Sequence, residues 1–371
     1  MFRGGSGVQR TGRPAIRIRE LSGEIEINEQ QVVDLITAEA LTKPLAGRYD
    51  AIEPLATLRP GAFSIVVTAR DLRSQKRVVL KFLNTDEPYR VACFERECVV
   101  SELLVGKRNV IQLAGGRDHV KVSLIEPKSG LPFEIRFHFF ALELGRETLT
   151  GFLLRHRRPP PVYRRLEIIR DVVKGVGRLH RAGYCHRDLK PDNVLRFSGG
   201  VAKVADFGTC RLHSGADPIA DPLQYMWPAG DMMYAAPEMY SGAGLDPALY
   251  VGADWFGVGA ILFEAVTGQN LYVAMNLRSP NEIKRALAAA VDTAGYLRRV
   301  GNAVGNYPIP STSDFSESWL RPLRAETHNT LTSLIQDLCH LDYRRRLTDF
   351  DRVLHRVDMA IIRTRRDRLR G

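Results

Sequence analysis

The sequence lacks the features that mark a disulfide-stabilised, secreted or membrane-spanning protein. Its five cysteines are scattered and never fall in a Cys-x-x-Cys pair, which argues against a disulfide framework and against a zinc site. No apolar run approaches the roughly 18 residues of a membrane span, and the first residues contain no apolar stretch of a signal peptide. We therefore expect a globular, cytoplasmic protein with no membrane span and with reduced thiols.

Acidic residues are too few to balance the basic ones. The chain has 53 Lys and Arg against 42 Asp and Glu, a formal net charge of +11. Part of the excess lies in the arginine-rich ends, at 1–19 and 363–371. Such ends attract nucleic acid, anionic lipid or an acidic partner, but solvated tails that aid solubility fit the same composition. No aromatic residue lies between these arginines as a stacking contact with nucleic acid would require.

The order of the predicted elements favours an α+β protein with two lobes. Runs rich in β-branched and aromatic residues predict strands at 63–69, 77–83, 120–125 and 133–144. Helical spacing predicts one main helix among them at 93–105, a helix near the start at 30–41, and later helices at 163–182, 250–267, 280–294, 330–340 and 349–363. We expect a ligand in the cleft between a small antiparallel β-sheet lobe and a larger, mostly α-helical lobe.

We divide the chain accordingly into four segments. They are an N-terminal extension with a basic start (1–45), the small, nucleotide-binding lobe (46–145), the large, catalytic and substrate lobe (146–357) and a basic C-terminal tail (358–371).

The most informative segment is His186-Arg-Asp-Leu-Lys-Pro-Asp-Asn193, which Asp206-Phe-Gly208 follows 13 residues later. Phosphoryl transfer from ATP needs a base near the acceptor hydroxyl, oxygen ligands for Mg²⁺ and a cation beside the transferred group. The two segments supply all three kinds of group. Because several identities coincide at fixed spacing and in order, the signal is highly specific.

On these segments the chain resembles the eukaryotic-type (Hanks-type) serine/threonine protein kinases, from about Gly47 to about Arg356. Gly47-Arg-Tyr-Asp50 and Ala69-Arg-Asp71 resemble the opening of the bacterial members. Ala236-Pro-Glu238 resembles the end of a kinase activation segment, and Arg346 matches the arginine that pairs with that glutamate in the family. The resemblance implies the bilobal protein-kinase fold and the use of ATP and Mg²⁺. It also implies a protein substrate with a Ser/Thr acceptor, and possible autophosphorylation.

The resemblance assigns roles to four residues of the predicted large lobe. Asp188 would accept the proton of the substrate hydroxyl, and Lys190 would neutralise charge on the γ-phosphoryl group. Asn193 and Asp206 would hold Mg²⁺. Catalysis would then rest on positioning and electrostatics.

In the predicted small lobe, Lys81 matches the lysine that binds the ATP phosphates. Glu97 is its predicted ion-pair partner, with Glu95 and Glu102 as alternatives. Backbone groups of the lobe connector bind adenine in this family, so Glu143 and Leu144 are assigned there. A shift of that assignment by one residue fits the sequence equally well.

The chain departs from the family's pattern in the loop that covers the phosphates. The matching stretch, Arg59-Pro-Gly-Ala-Phe-Ser64, keeps only Gly61 of the family's three glycines, and glycines there let the backbone approach the phosphates. We expect a stiffer loop that holds nucleotide more loosely. Val79 stands where a small alanine usually faces adenine, which narrows the pocket.

A further departure is Asp231, which stands where these kinases usually carry threonine. A carboxylate there would pair with Lys190 and repel Asp188. Two other functions therefore stay open. One is a pseudokinase that binds nucleotide or partners without transfer. The other is a small-molecule phosphotransferase of the same fold, although those relatives generally lack the counterparts of Glu238 and Arg346.

The activation segment offers Thr209 and Ser214 as possible phosphorylation sites. It also contains Asp217 and Asp221, which carry negative charge without modification. We hypothesise that one of these aspartates pairs with Arg187, so that the enzyme is active as synthesised. Solvated aspartates, with Arg187 satisfied elsewhere, are the alternative.

Overall fold

The structure, a computed structural model, describes residues 15–20, 23–55, 64–83, 87–125, 130–155, 160–215, 230–241, 246–275, 282 and 329–370. By contacts the chain divides into two compact units, Met1–Cys98 with Leu113–Leu144 and Val99–Gln112 with Gly145–Gly371. The first unit is rich in strands and the second is mostly helical, so the predicted α+β class is confirmed. Outside the described residues lie Arg59, Gly61, Asp217, Asp221 and most of the predicted helix at 280–294.

The first unit is built on a five-stranded antiparallel sheet. Its elements are β1 (Ala15–Glu20), β2 (Gly23–Asn28), α1 (Glu29–Thr42), β3 (Tyr49–Pro54), β4 (Ser64–Asp71), β5 (Lys76–Leu83), α2 (Pro88–Leu103), β6 (Leu113–Ile125) and β7 (Pro132–Glu143). The strand order is β3-β4-β5-β7-β6, and β1 and β2 form a separate antiparallel pair. The end of α2 groups with the second unit.

Helix α1 packs on one face of this sheet. Along β5, Leu80 and Phe82 are buried on one face, whereas Lys81 lies on the other, as the alternation of a strand requires. Val32 and Ile36 of α1 are fully buried in the same apolar cluster as Leu80 and Phe82. The helical part of the N-terminal extension therefore belongs to the core of the first unit, on the face opposite Lys81.

The Arg48–Asp71 ion pair ties three parts of the first unit together. Two hydrogen bonds of 2.8 Å join Arg48 to Asp71, and Arg48 also donates to the carbonyl oxygen of Ala114 at 2.7 Å. Asp71, which is 1% exposed, accepts further bonds from the Arg73 N–H and the Ser74 hydroxyl. The hydrogen bonds from Arg48 hold the pKa of Asp71 well below its usual range, against the effect of burial.

We predict that Asp71→Asn lowers the free energy of unfolding by about 2–4 kcal/mol at pH 7, because it breaks a buried ion pair. Since the pKa of Asp71 is lower in the folded than in the unfolded state, its contribution is complete above about pH 4 and decreases as the pH falls below that value. The difference between variant and wild type should therefore shrink at pH 3. Urea denaturation at both pH values measures this.

Asp50→Asn is the matched control, because the Asp50–Arg70 pair lies next to Arg48 and Asp71 in the sequence but is more exposed than they are. We expect little change in stability from it. An equal loss for Asp71→Asn at pH 3 and pH 7 would contradict the ion pair as the source of the stability.

The second unit surrounds one buried helix. Its elements are β8 (Glu147–Thr148), α3 (Leu149–Arg155), α4 (Val162–Arg181), β9 (Tyr184–Cys185), β10 (Val194–Arg196), β11 (Ala202–Val204), β12 (Arg211–Leu212), α5 (Tyr250–Thr267), α6 (Leu271–Ala274), α7 (Asn329–Leu338) and α8 (Phe350–Arg370). The helices predicted at 163–182, 250–267, 330–340 and 349–363 are confirmed as α4, α5, α7 and α8. Helix α8 continues to Arg370, so residues 358–370, expected as a tail, are the end of this helix.

The buried helix is α5, which packs against α4 and α7. The stretch Pro247–Thr267 is long and apolar enough to cross a membrane. However, 89% of its apolar 18-residue segment is buried inside the protein, as in a core helix. The close approach of α7 depends on a glycine. A Cβ atom added at Gly259 would lie 2.5 Å from Cys339 Sγ and 2.8 Å from Leu338 Cβ, too near for either atom.

We predict that Gly259→Ala lowers the free energy of unfolding by about 1–3 kcal/mol, because the methyl group forces α5 and α7 apart. Gly252→Ala in the same helix is the control, since the nearest atom to its added Cβ is Arg346 Nη1 at 3.6 Å. Alanine has the higher helix propensity, so this variant should be neutral or slightly stabilising. Thermal denaturation of Gly259→Ala and Gly252→Ala tests this prediction. Equal stability of the two variants would contradict close packing of α5 on α7 as the reason for the glycine.

Candidate active site

The segment His186–Asn193 is pinned to α5 by one buried carboxylate. Asp254 accepts hydrogen bonds from the backbone N–H groups of His186 (2.7 Å) and Arg187 (2.8 Å), and from His180 Nε2 (2.8 Å). Burial alone would raise the pKa of Asp254, but the bond and charge of His180 lower this pKa below its usual value. Arg187 has a positive φ of 67°, a strained conformation that these bonds hold in place.

His180, Cys185 and Asp254 also form a cluster of potential metal ligands, the one such group among the described residues. Its geometry is explained without a metal, because Asp254 already accepts three hydrogen bonds from the surrounding protein. Burial raises the pKa of the Cys185 thiol, which disfavours the thiolate that a metal would need. Sequence reasoning missed His180, although its position six residues before His186, at the end of a predicted helix, was a usable signal.

Asp188 is held by donors on both carboxylate oxygens. Oδ2 accepts from Lys190 Nζ at 2.9 Å and from Asn193 Nδ2 at 3.0 Å, and Oδ1 accepts the Asp231 backbone N–H at 2.6 Å. Burial raises the pKa of Asp188, and the charge of Lys190 opposes that rise. Burial would lower the pKa of Lys190, but Asp188 raises this pKa above its usual value. Lys190 is therefore a cation beside the carboxylate.

Asn193 and Asp206 lie on adjoining segments. The Ala205 N–H donates to the carbonyl oxygen of Asn193 at 2.9 Å, which brings the Asp206-Phe-Gly208 segment against the loop. Asp206 itself has left-handed backbone angles, φ 67° and ψ 73°. Asn193 donates from its amide nitrogen to Asp188, and its amide oxygen and the carboxylate of Asp206 are the candidate metal ligands. Oxygen donors of these two types fit Mg²⁺.

In the first unit, Lys81 on β5 pairs with Glu97 on α2. The Lys81 Nζ lies 2.5 Å from Glu97 Oε2, and both side chains are largely buried. The alternative glutamates are placed differently, because Glu95 lies 3.9 Å from Arg117 and Glu102 is exposed. Among the three candidates, the structure therefore places Glu97 against Lys81.

The assigned adenine-binding connector begins where β7 ends. Val79 lies opposite Leu142, and Val78 lies opposite Glu143, the last residue of the strand. Leu144 follows outside the strand and is the last residue of the first unit. The register makes Val79 and Leu142 neighbours across β5 and β7, while the roles of Glu143 and Leu144 stay a prediction.

The candidate phosphorylation sites Thr209 and Ser214 differ in exposure, and Arg187 lies beside an aromatic ring. The Thr209 hydroxyl donates to the carbonyl oxygen of His186 at 2.9 Å, whereas Ser214 is exposed. The Arg187 guanidinium lies 4.4 Å from the centre of the Tyr250 ring. Its predicted pairing with Asp217 or Asp221 stays a prediction, because both aspartates lie outside the described part of the chain.

Glu238 and Arg346 form a fully buried ion pair. Arg346 donates from Nη2 to Glu238 Oε2 at 2.9 Å and from Nη1 to Oε1. It also donates to the carbonyl oxygen of His340, so the guanidinium has several partners. The pair anchors the segment that follows Asp231 to the chain beyond α7.

We predict that Glu238→Gln lowers the free energy of unfolding by about 3–5 kcal/mol, because it leaves the buried Arg346 charge uncompensated. The control is Asp358→Asn, which removes the partly exposed Asp358–Arg170 pair in the same unit. That change should stay within about 0.5 kcal/mol. Chemical denaturation of both variants measures this difference. Similar losses of unfolding free energy would contradict burial as the reason for the large contribution of the Glu238–Arg346 pair.

Several known protein kinases are similar to this chain in sequence. Serine/threonine-protein kinase PknL of Mycobacterium tuberculosis is 28% identical over 217 residues, which cover 57% of this chain and 48% of that protein. The putative CBL-interacting protein kinase 27 of Oryza sativa subsp. japonica is 33% identical over 228 residues, 60% of this chain and 50% of the relative. Cyclin-dependent kinase 4 of Xenopus laevis is 32% identical over 207 residues, 54% and 58% of the two chains.

The chain spans about half the length of the first curated relatives it matches. The model of the protein kinase domain matches residues 53–357, close to the limits that the motifs predict. Because this match covers most of the chain and contains the loop, the ion pairs and the sheet described above, the chain belongs to the protein kinase family.

Proposed function

We propose that this protein is an ATP-dependent serine/threonine protein kinase in which Asp188 accepts the proton of the acceptor hydroxyl. The observation that carries the proposal is the set of donors around Asp188. Lys190 and Asn193 hold Oδ2, and the Asp231 N–H holds Oδ1. A base held in one orientation within a buried site is what proton transfer from a bound hydroxyl needs.

The neighbouring residues have complementary roles in this proposal. Lys190 stabilises negative charge that develops on the transferred phosphoryl group, because it is a cation beside the base. Asn193 and Asp206 hold Mg²⁺, which when bound neutralises charge on the ATP phosphates. In the first unit, Glu97 holds the ammonium group of Lys81, the lysine that the resemblance assigns to phosphate binding. Gly61, Glu143 and Leu144 keep their assigned roles in nucleotide binding as part of the proposal.

Two features support a protein with Ser/Thr hydroxyls as the substrate. The lysine of Lys190-Pro-Asp-Asn193 favours serine or threonine over tyrosine as acceptor within the resemblance. The buried Glu238–Arg346 pair anchors a segment that small-molecule phosphotransferases of this fold generally lack. Autophosphorylation is included in the proposal, with exposed Ser214 a more accessible acceptor than Thr209.

A pseudokinase is the second candidate, and the loop at 59–64 favours it, because only Gly61 remains of the family's glycines. The two candidates predict different outcomes with ATP. A kinase transfers the γ-phosphoryl group, whereas a pseudokinase binds nucleotide or a partner without transfer.

We predict that the purified chain phosphorylates itself or a generic basic protein with labelled ATP and Mg²⁺. Asp188→Asn should reduce the rate by about 10²–10⁴-fold, because it removes the proposed base. Asp206→Ala should abolish transfer by removing a metal ligand. Asp358→Asn, an exposed substitution in the same unit, serves as the control with wild-type activity.

Circular dichroism should show unchanged helicity in all these variants. Wild-type rates in Asp188→Asn or Asp206→Ala at saturating Mg²⁺ would contradict the assignment. Nucleotide binding by the wild type, measured by calorimetry, without any transfer would instead support the pseudokinase.

A further inference from the structure

The turn that starts at Asp231 is closed by its own side chain. The Asp231 carbonyl oxygen accepts the N–H groups of Tyr234 (3.0 Å) and Ala235 (3.1 Å). The Asp231 carboxylate accepts the N–H of Met233 at 2.9 Å through Oδ1. Aspartate closes turns in this way because its short side chain reaches the N–H two residues on.

The contact from this turn to Asp188 comes from the main chain. The Asp231 N–H donates to Asp188 Oδ1 at 2.6 Å, while the Asp231 Oδ1 is engaged within the turn. The sequence suggested a carboxylate that repels Asp188 and pairs with Lys190. The contact that the structure shows between Asp231 and Asp188 is an attractive, charge-assisted hydrogen bond from the main chain. The charge of Asp231 does raise the pKa of Lys190, as a minor contribution beside that of Asp188.

The turn is supported on both sides. Gly230, with φ of 89°, packs so closely on the loop that an added Cβ would lie 2.4 Å from the Arg187 carbonyl oxygen. On the other side, Asn270 donates to the carbonyl oxygen of Met233 at 3.1 Å, and the Tyr272 hydroxyl donates to that of Ala235 at 2.8 Å. The position of the Asp231 N–H is therefore determined by a closed and anchored turn.

We propose that Asp231 is a positioning residue, whose carboxylate closes the turn that aims its own backbone N–H at Asp188 Oδ1 and so fixes the orientation of the base. This inference rests on the proposed function, in which Asp188 is the base. With Oδ1 tethered to Asp231 and Oδ2 to Lys190 and Asn193, the carboxylate has donors on both sides and one preferred orientation. What the turn needs from residue 231 is an acceptor oxygen, and the negative charge is dispensable.

The test compares Asp231→Ala, which removes the acceptor, with Asp231→Asn, which keeps an acceptor oxygen and removes the charge. We expect Asp231→Ala to lower kcat about tenfold, the effect of losing one oriented hydrogen bond worth about 1.4 kcal/mol, with KM for ATP unchanged. Asp231→Asn should restore kcat to within about threefold of the wild type, since the turn closes again.

Asp246→Ala is the matched control. The Asp246 carboxylate accepts the Ala248 N–H at 2.9 Å, the same two-residue closure just before α5, and its contacts in the structure do not include Asp188. It should cost similar stability and leave kcat unchanged. An equal fall of kcat in Asp246→Ala would reduce the role of Asp231 to general stability and overturn the proposal. Wild-type kcat in Asp231→Ala, or an Asp231→Asn variant as slow as Asp231→Ala, would overturn it as well.

Crystal structures of the wild type and of Asp231→Ala give a readout that does not depend on activity. We expect the Asp188 carboxylate to lose its single orientation in the variant. If the wild type transfers no phosphoryl group but this change is seen, the proposed function fails while the positioning geometry stands. If the wild type is active and Asp188 keeps its orientation in Asp231→Ala, the positioning inference alone fails.

Discussion

The geometry of the second unit depends on one buried carboxylate, Asp254 of α5. It accepts the backbone N–H groups of His186 and Arg187 and the imidazole of His180, and so converts an otherwise unfavourable buried charge into an anchor. The chain at Arg187 is strained, and the bonds to Asp254 keep it so. Because Asp188 follows directly, its side chain starts from a backbone that the core helix holds in place.

The same physical solution recurs at three further buried carboxylates among the described residues. Asp71 in the first unit is buried against Arg48, Glu97 against Lys81, and Glu238 against Arg346. A buried charge is tolerated only when its partners are near and hydrogen-bonded, so each pair ties together segments distant in sequence. The excess of arginine is thus only partly a surface property, because Arg48 and Arg346 serve as partners of buried carboxylates.

The sequence predicted the helices α4, α7 and α8, because their apolar periodicity is strong and burial of one face decides such elements. It predicted α5 because a long, almost wholly apolar stretch is typical of a helix buried on all sides. The sequence predicted the bounds of some elements less well. β6 begins at Leu113, earlier than expected, and α8 runs on to Arg370, since pairing with β7 and packing on α4 extend these elements beyond their apolar cores. The packed position of α2 also decided that Glu97, and not Glu95 or Glu102, pairs with Lys81.

By itself the sequence determined the family and the α+β class and predicted a set of residues for the chemistry, because the spacing of His186–Asn193 and Asp206–Gly208 carries fixed identities that coincide in few other contexts. Only the tertiary structure decided how those residues are held. The roles of Asp254, His180 and Asp231 depend on hydrogen bonds between segments separated by tens of residues, and such contacts leave no periodic trace in the chain. The carboxylate of Asp231 closes a turn and its N–H meets Asp188, because folding fixes which atom of a residue faces its neighbour.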